Sequence, residues 1–375
     1  MLALGGYEVK IVYLNNSVYG YASGDPSVCG GAERYGWHLM RALANAGWSV
    51  TVGVPSFLRD GEERVIDGVR FLGISCDKQT LVTWYRFLKI ERPDWCFWQC
   101  ADPMWGPAAE IARWLGVRTA FSTMHDLDVQ PRIALKRRKN WWPFYMWGLQ
   151  RSDIIFLQHL GQRDYLPLRW KRRAYLLPGI VSPPRAVRPH SERNRTVAWV
   201  AVIRPIKRPD LLIEVARRLP SIHFAVCGAP TLYLWDAKDI ESILAQLRSL
   251  PNVEYRGHVA PEESLKIIGN ASLLLSTSDG EGFPSVFLEA WAAGTPVVSI
   301  KIDPDHRIRD GELGEVVDTV DQAVDAIRAL MTSPERRQEM GMSAQRHVEE
   351  LYGSSAAVRA FEKAVASVSV SCQLR

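Results

Sequence analysis

Two glutamates with seven residues between them, Glu281 and Glu289, lie in "SDGEGFPSVFLEAWAAGTPVV", Ser278 to Val298. The rest of that stretch is mostly small and apolar. A buried carboxylate without a partner is costly, so two of them here imply groups that donate hydrogen bonds to them. "SLLLSTS" before the pair reads as a strand, "DGEGFP" as a turn and "SVFLEAWAA" as a helix. Pro284 suits the first helical turn, and Gly294 and Pro296 suit its end. Gly280 and Gly282 allow unusual backbone angles in that turn. Glu281 then stands in the loop at the helix mouth, and Glu289 lies more than a turn inside. Amides from Gly282 to Val286, including those of Phe283 and Ser285, suit a phosphate at the helix N-terminus. The carboxylates would repel a phosphate and suit hydroxyls, at roughly 1.5–3 kcal/mol for each charged hydrogen bond. A ligand with both groups fits: a nucleotide sugar, with ribose near one glutamate and the transferred sugar near the other.

Three further clusters could carry chemistry. In "AVIRPIKRPD", Ala201 to Asp210, the cations Arg204, Lys207 and Arg208 follow a strand and suit a diphosphate. A solvated charged turn would have the same composition. In "STMHDLD", Ser122 to Asp128, His125 can exchange hydrogen bonds with a sugar hydroxyl or be a satisfied structural histidine. Asp126 and Asp128 could orient its ring or cap the next segment. In "CGGAE", Cys29 to Glu33, Gly30 and Gly31 allow close backbone approach at a helix N-terminus that favours an anion. That turn is neither GxGxxG nor a phosphate loop with its lysine, and it serves structure as readily. The six cysteines are scattered and read as reduced thiols; Cys96 and Cys100 in "CFWQC" match neither a redox pair nor a zinc site. No HExxH, EF-hand loop or Cys/His cluster points to a protein-held metal.

The elements that must position these residues alternate. "KIVYL", "SVTVGV", "DWCFWQ", "RTAFSTM" and "DIIFLQ" read as strands separated by amphipathic stretches such as "AERYGWHLMRALANAGW". That alternation predicts a doubly wound parallel sheet. Proline, serine and charge interrupt it in "PGIVSPPRAVRPHSERNR", and it resumes with "TVAWVAVI", "IHFAVCG", "VEYRGH", "SLLLSTS" and "TPVVSI". The expected division is a domain over 1–180, a linker over 181–195, a second domain over 196–352 and a C-terminal helix over 353–375, packing back towards the first domain. Ligands in open α/β sheets bind beyond the carboxyl ends of strands, so the clusters are expected to face a cleft between the domains.

The chain has 375 residues and a net charge of +5, a mild excess that permits anionic partners and identifies no nucleic acid. No apolar run approaches the roughly 20 residues that span a bilayer, and the first residues lack the marks of a signal peptide. A cytoplasmic location is expected. Residues 132–151, "RIALKRRKNWWPFYMWGLQR", are basic and rich in tryptophan, without an acid. They suit an anionic membrane surface, or a helix that buries its aromatics and solvates its cations.

"EGFPSVFLE" followed by "AWAAGTPVV", together with "RPIKRPD", "GGAE", "MHD" and "VEYRGHVAPEESLKIIGNASLLLSTS", resembles the retaining GT-B glycosyltransferases of family 4. The resemblance covers most of the chain. It implies α/β architecture: two Rossmann-like domains facing a central cleft, the first for the acceptor and the second for the donor. It implies transfer of a sugar from a nucleotide diphosphate sugar, UDP- or GDP-linked, to a hydroxyl of a glycan or lipid-linked acceptor. Anomeric configuration is kept, and no metal or other cofactor is needed. Glu289 would hold the donor ribose and Glu281 the transferred sugar. The backbone from Gly282 through Phe283 and Pro284 to Ser285 would hold sugar or phosphate. Arg204 and Lys207 would neutralise the leaving diphosphate, His125 would touch the transferred sugar, and Gly30 and Gly31 would pack against donor or acceptor. A lipid-linked acceptor would bring peripheral contact at the inner membrane face. One departure stands out: where many relatives have an arginine, five residues before the lysine, this chain has Val202, and Arg204 lies two residues later. Two alternatives share the architecture. A nucleotide-sugar epimerase would need acid/base groups for elimination, and a non-catalytic nucleotide-sugar binder would tolerate the Val202 departure.

Overall fold

Strand β1 (Lys10–Leu14) is short, branched and buried, and it lies mid-sheet in the first of two units. The computed structural model describes residues 8–25, 28, 30–74, 80–135, 141–181, 188–232 and 235–373. The first unit comprises Met1–Ile180 with Ser354–Arg375, and the second Val181–Gly353.

In the first unit β1 is joined by β2 (Ser49–Val54), β3 (Glu63–Ile66), β4 (Val69–Gly73), β5 (Trp95–Gln99), β6 (Arg118–Ser122), β7 (Ile154–Leu157) and β8 (Ala174–Leu176). Among the described residues their order is β3-β4-β2-β1-β5-β6-β7-β8. All neighbours are parallel except β3 and β4, which form an antiparallel hairpin at one edge. Asp67 and Gly68 make its two-residue turn, with φ of 47° and 80°, the left-handed geometry that matches strand twist. Continuous apolar strands such as "IIFL" are covered on both faces, as parallel sheets require. The helix Gly31–Asn45 buries Tyr35, Trp37, Leu39, Met40 and Leu43, a stripe at helical spacing.

The last helix, Ser354–Gln373, is an integral part of this unit. Phe361 is fully buried, stacked on Phe156 at 4.9 Å and edge-on to Trp48 at 5.3 Å. The Tyr175 and Ser367 hydroxyls meet at 2.6 Å.

The second unit has β9 (Asn194–Val200), β10 (His223–Cys227), β11 (Val253–Gly257), β12 (Ala271–Ser276), β13 (Val297–Ile300) and β14 (Gly314–Val317). They form a parallel sheet in the order β11-β10-β9-β12-β13-β14. Every residue of β12 and β13 is buried. The segment read as a linker is partly structural. Residues 182–187 lie outside the described residues, but His190 and Arg193 are buried in the second unit and Asn194 already begins β9.

Candidate active site

The loop after β9 and the loop after β12 lie side by side because their strands are neighbours. Hydrogen bonds stitch them together. The Thr277 hydroxyl donates to the Lys207 carbonyl at 2.6 Å and accepts from the Trp199 indole at 3.0 Å. The Asp279 amide donates to the Ile206 carbonyl at 2.8 Å. Arg208, in the left-handed region at φ 49°, bonds the Asp279 carboxylate at 3.1 Å and that of Asp210 at 2.7 Å. Its charge is thus engaged by two acids of its own chain.

This stitching brings Lys207 to Glu281, and the ammonium and carboxylate form an ion pair. Both side chains are largely withdrawn from solvent, at 15% and 12% exposure. Arg204 is arranged differently. It caps the 3-10 turn Pro205–Lys207, is half-buried, and has no ion pair among the described residues; its Nε is buried without a hydrogen-bond partner. Val202, where the resemblance leads one to expect an arginine, precedes the buried Ile203, which bridges to Pro230.

The helix after Glu281 runs Ser285–Ala292 with Pro284 at its N-cap, one position outside the first turn expected for that proline. Glu289 lies more than a turn inside and is 4% exposed. The Phe283 ring packs against Tyr352 at 5.3 Å and Trp291 at 6.0 Å, so the apolar interior takes its side chain. Neither Gly280 nor Gly282 has a positive φ, so the turn does not draw on the freedom they allow, while Gly294 does at 62° and ends the helix.

The far end of this helix is gripped by residues whose sequence neighbourhood gave no sign of it. Arg193 donates to the Ala293 carbonyl at 2.7 Å, the Thr295 hydroxyl at 2.7 Å and the Ala271 carbonyl at 3.2 Å. Burial, with Arg337 nearby, pushes its pKa down to about 10. His190 Nε2 lies 2.8 Å from the Gly294 carbonyl, and burial followed by the nearby Arg193 charge lowers its pKa to about 4. Carbonyls at a helix end favour cations and donors, which these two side chains provide.

In the first unit His125 caps the 3-10 turn Asp126–Val129, and its Nδ1 accepts from the Leu127 amide at 3.1 Å. That contact fixes the proton of the neutral ring on Nε2. Asp128 is buried and accepts from the amides of Met124 at 2.6 Å, His125 at 3.0 Å and Ala101 at 3.2 Å. Burial raises its pKa against the pull of those donors. Asp126 turns to His159 Nε2 at 2.7 Å and Gln162 at 3.0 Å. The two aspartates therefore cap the turn and anchor a neighbouring loop, and His125 is oriented by backbone. Gly30 is the N-cap of the helix Gly31–Asn45, and a Cβ there would lie 2.0 Å from a carboxylate oxygen of Glu33. The anion at this helix start is the chain's own; Cys29 lies outside the described residues.

The basic aromatic segment is divided. Tyr145 and Leu149 are buried, Trp142 carries Arg132 over its ring at 4.9 Å, and Ile133, Trp141, Phe144 and Met146 are exposed. Lys136 to Lys139 lie outside the described residues. No helix among the described residues is long and apolar enough to cross a membrane. The described free thiols Cys96, Cys100 and Cys227 are held protonated, chiefly by burial.

The family model for glycosyl transferases group 1 matches residues 184–347, and that for the glycosyl transferase 4-like domain matches residues 30–176. The chain belongs to the group 1 glycosyltransferases of GT-B fold. In this glycosyltransferase family member the first match spans Arg204, Lys207, Glu281 and Glu289, and the second spans Gly30, Gly31 and His125. The chain is 32% identical over 143 residues to the D-inositol 3-phosphate glycosyltransferase of Mycobacterium sp. (strain JLS), covering 38% of this chain and 33% of that one. The match therefore spans about a third of that relative's length. It is 26% identical over 310 residues to the lipopolysaccharide core biosynthesis glycosyltransferase LpsE of Rhizobium meliloti (strain 1021), covering 78% and 82% of the two chains. Anabaena HepE, solved in complex with UDP and glucose, superposes with a TM-score of 0.70 at 13% identity, covering 96% of this chain and 100% of the other. That likeness is one of fold.

Proposed function

We propose that this chain transfers a glycosyl group from a nucleotide diphosphate sugar to an acceptor hydroxyl with retention of anomeric configuration. The observation that carries the reading is the Lys207–Glu281 contact between the loops after β9 and β12, with Arg204 on the first of these loops and buried Glu289 on the helix that follows the second. Cations there suit a diphosphate, and carboxylates suit the hydroxyls of ribose and sugar. The UDP and glucose bound to the fold neighbour HepE support a donor of that class.

In the proposed reaction the bond from the anomeric carbon to the diphosphate oxygen breaks. The acceptor oxygen bonds to the same face of that carbon, and its proton passes to the leaving diphosphate. The chain's part is to stabilise charge on the leaving group through Arg204, Lys207 and the amides at the start of Ser285–Ala292, without a metal. For His125 the proposed role is to donate its Nε2–H to a sugar hydroxyl, its Nδ1 being engaged by the Leu127 amide. The name of LpsE supports a glycan or lipid-linked acceptor, and exposed Trp141 and Phe144 support peripheral contact with an anionic inner membrane face.

The test is a thermal-shift and calorimetry screen of UDP-, GDP-, ADP- and dTDP-sugars, with Glu289→Ala alongside. Mass action should raise the melting temperature for one donor class. The variant should bind it about tenfold more weakly, through loss of a charged hydrogen bond. Product analysis with acceptor then separates transfer from epimerisation and from binding without turnover. A donor that binds equally well to the variant would refute the placement of Glu289.

A further inference from the structure

The reading above gives Lys207 and Glu281 to opposite parts of the donor, the diphosphate and the sugar hydroxyls. In the structure they are bonded to each other, largely out of water. We infer that Glu281 competes with the diphosphate for Lys207, so that the site discriminates an intact sugar nucleotide from the nucleoside diphosphate left after transfer. The inference rests on the proposed function of this site.

A charge this withdrawn from solvent needs a partner. If a diphosphate takes Lys207, Glu281 is left as an anion beside a second anion. It tolerates that only when hydrogen-bond donors replace the ammonium. The hydroxyls of the transferred sugar are such donors, and they arrive with the intact substrate. After transfer they leave with the acceptor. The carboxylate then recaptures Lys207, and the remaining diphosphate loses one of its cations.

Arg204 sharpens the argument. No carboxylate among the described residues lies within ion-pair distance of it. Its attraction for phosphate meets no internal competitor and is the same for substrate and product. The grip on the diphosphate therefore has a constant part at Arg204 and a switchable part at Lys207. The backbone is fixed by the Thr277 and Asp279 hydrogen bonds, so the exchange needs only side-chain rotation.

The experiment is calorimetric titration with inorganic pyrophosphate, which carries the diphosphate chemistry without base or sugar. The proteins are the unaltered chain, Glu281→Gln, Lys207→Met and the double variant; Glu281→Ser replaces the glutamine variant if that one does not fold. Removing the competing carboxylate should tighten pyrophosphate about tenfold, the scale of one charged hydrogen bond, and the gain should vanish in the double variant. If Lys207→Met weakens binding while Glu281→Gln binds as the unaltered chain does, the competition is refuted and the phosphate role of Lys207 stands. If Lys207→Met binds as tightly as the unaltered chain, or none of the proteins binds, both fall.

Discussion

Thr277→Val tests how Lys207 is held. The substitution exchanges a hydroxyl for a methyl at nearly constant volume in a site that is 1% exposed. Two groups lose their partner: the Lys207 carbonyl, bonded at 2.6 Å, and the Trp199 indole N–H, bonded at 3.0 Å. A buried polar group left unpaired costs roughly 1–3 kcal/mol, so the pair should cost about 3 kcal/mol in all. Thr277→Ser keeps the hydroxyl and loses one methyl, at about 1 kcal/mol. Urea unfolding followed by tryptophan fluorescence should place the valine variant well below the serine variant. The two variants should differ in pyrophosphate affinity in the same order, since Lys207 is positioned through its carbonyl. Equal midpoints for valine and serine would refute the claim that this hydroxyl ties the two loops together.

Lys207→Ala should lower glycosyl transfer about a hundredfold, the scale of removing one preorganised charge stabiliser, and should also lower the unfolding midpoint, because Glu281 loses its partner out of water; steady-state kinetics on the folded variant beside urea unfolding checks both. His190 gives a pH dependence with a definite sign. Its folded pKa of about 4 lies below the ordinary 6.5, so the unfolded chain takes up the proton first as pH falls. Its contribution to stability is complete above about pH 6.5 and is lost progressively towards pH 4. His190→Gln, which keeps a donor for the Gly294 carbonyl, should show a smaller drop in urea midpoint between pH 7 and pH 5 than the unaltered chain. An equal drop would show that His190 does not titrate with folding.

Local patterns made much of the fold legible. Strand–helix alternation is a short-range signal, and the strands it marked in both halves are strands in the structure. The β3–β4 hairpin was missed although "VIDGVRF" carries its signature, an Asp-Gly pair between alternating apolar residues. That signal is short and stands beside the stronger parallel-strand pattern. Arg193 left no comparable trace. A basic residue among prolines and serines reads as linker, and its acceptors are 78 to 102 residues further along the chain. Only the tertiary fold brings those carbonyls to it.

The site divides in the same way. The placement of Glu289 follows from helix geometry, since a residue four positions beyond Ser285 lies about 6 Å along the axis. The partner of Glu281 follows from no spacing, because Lys207 is 74 residues away and reaches it through adjacent strand ends. Charge matching between ligand and side chain proposes what each residue would bind when a donor is present. It leaves out what they do without one. A lysine chosen for phosphate and a glutamate chosen for hydroxyls, both withdrawn from water, stabilise each other when no ligand is there. Arg204 escapes this pairing because no acid among the described residues lies within ion-pair distance of it. The resting site is thus less basic than its residues alone imply, and on the proposed reading a donor must displace an internal contact before it meets the full charge of the loop.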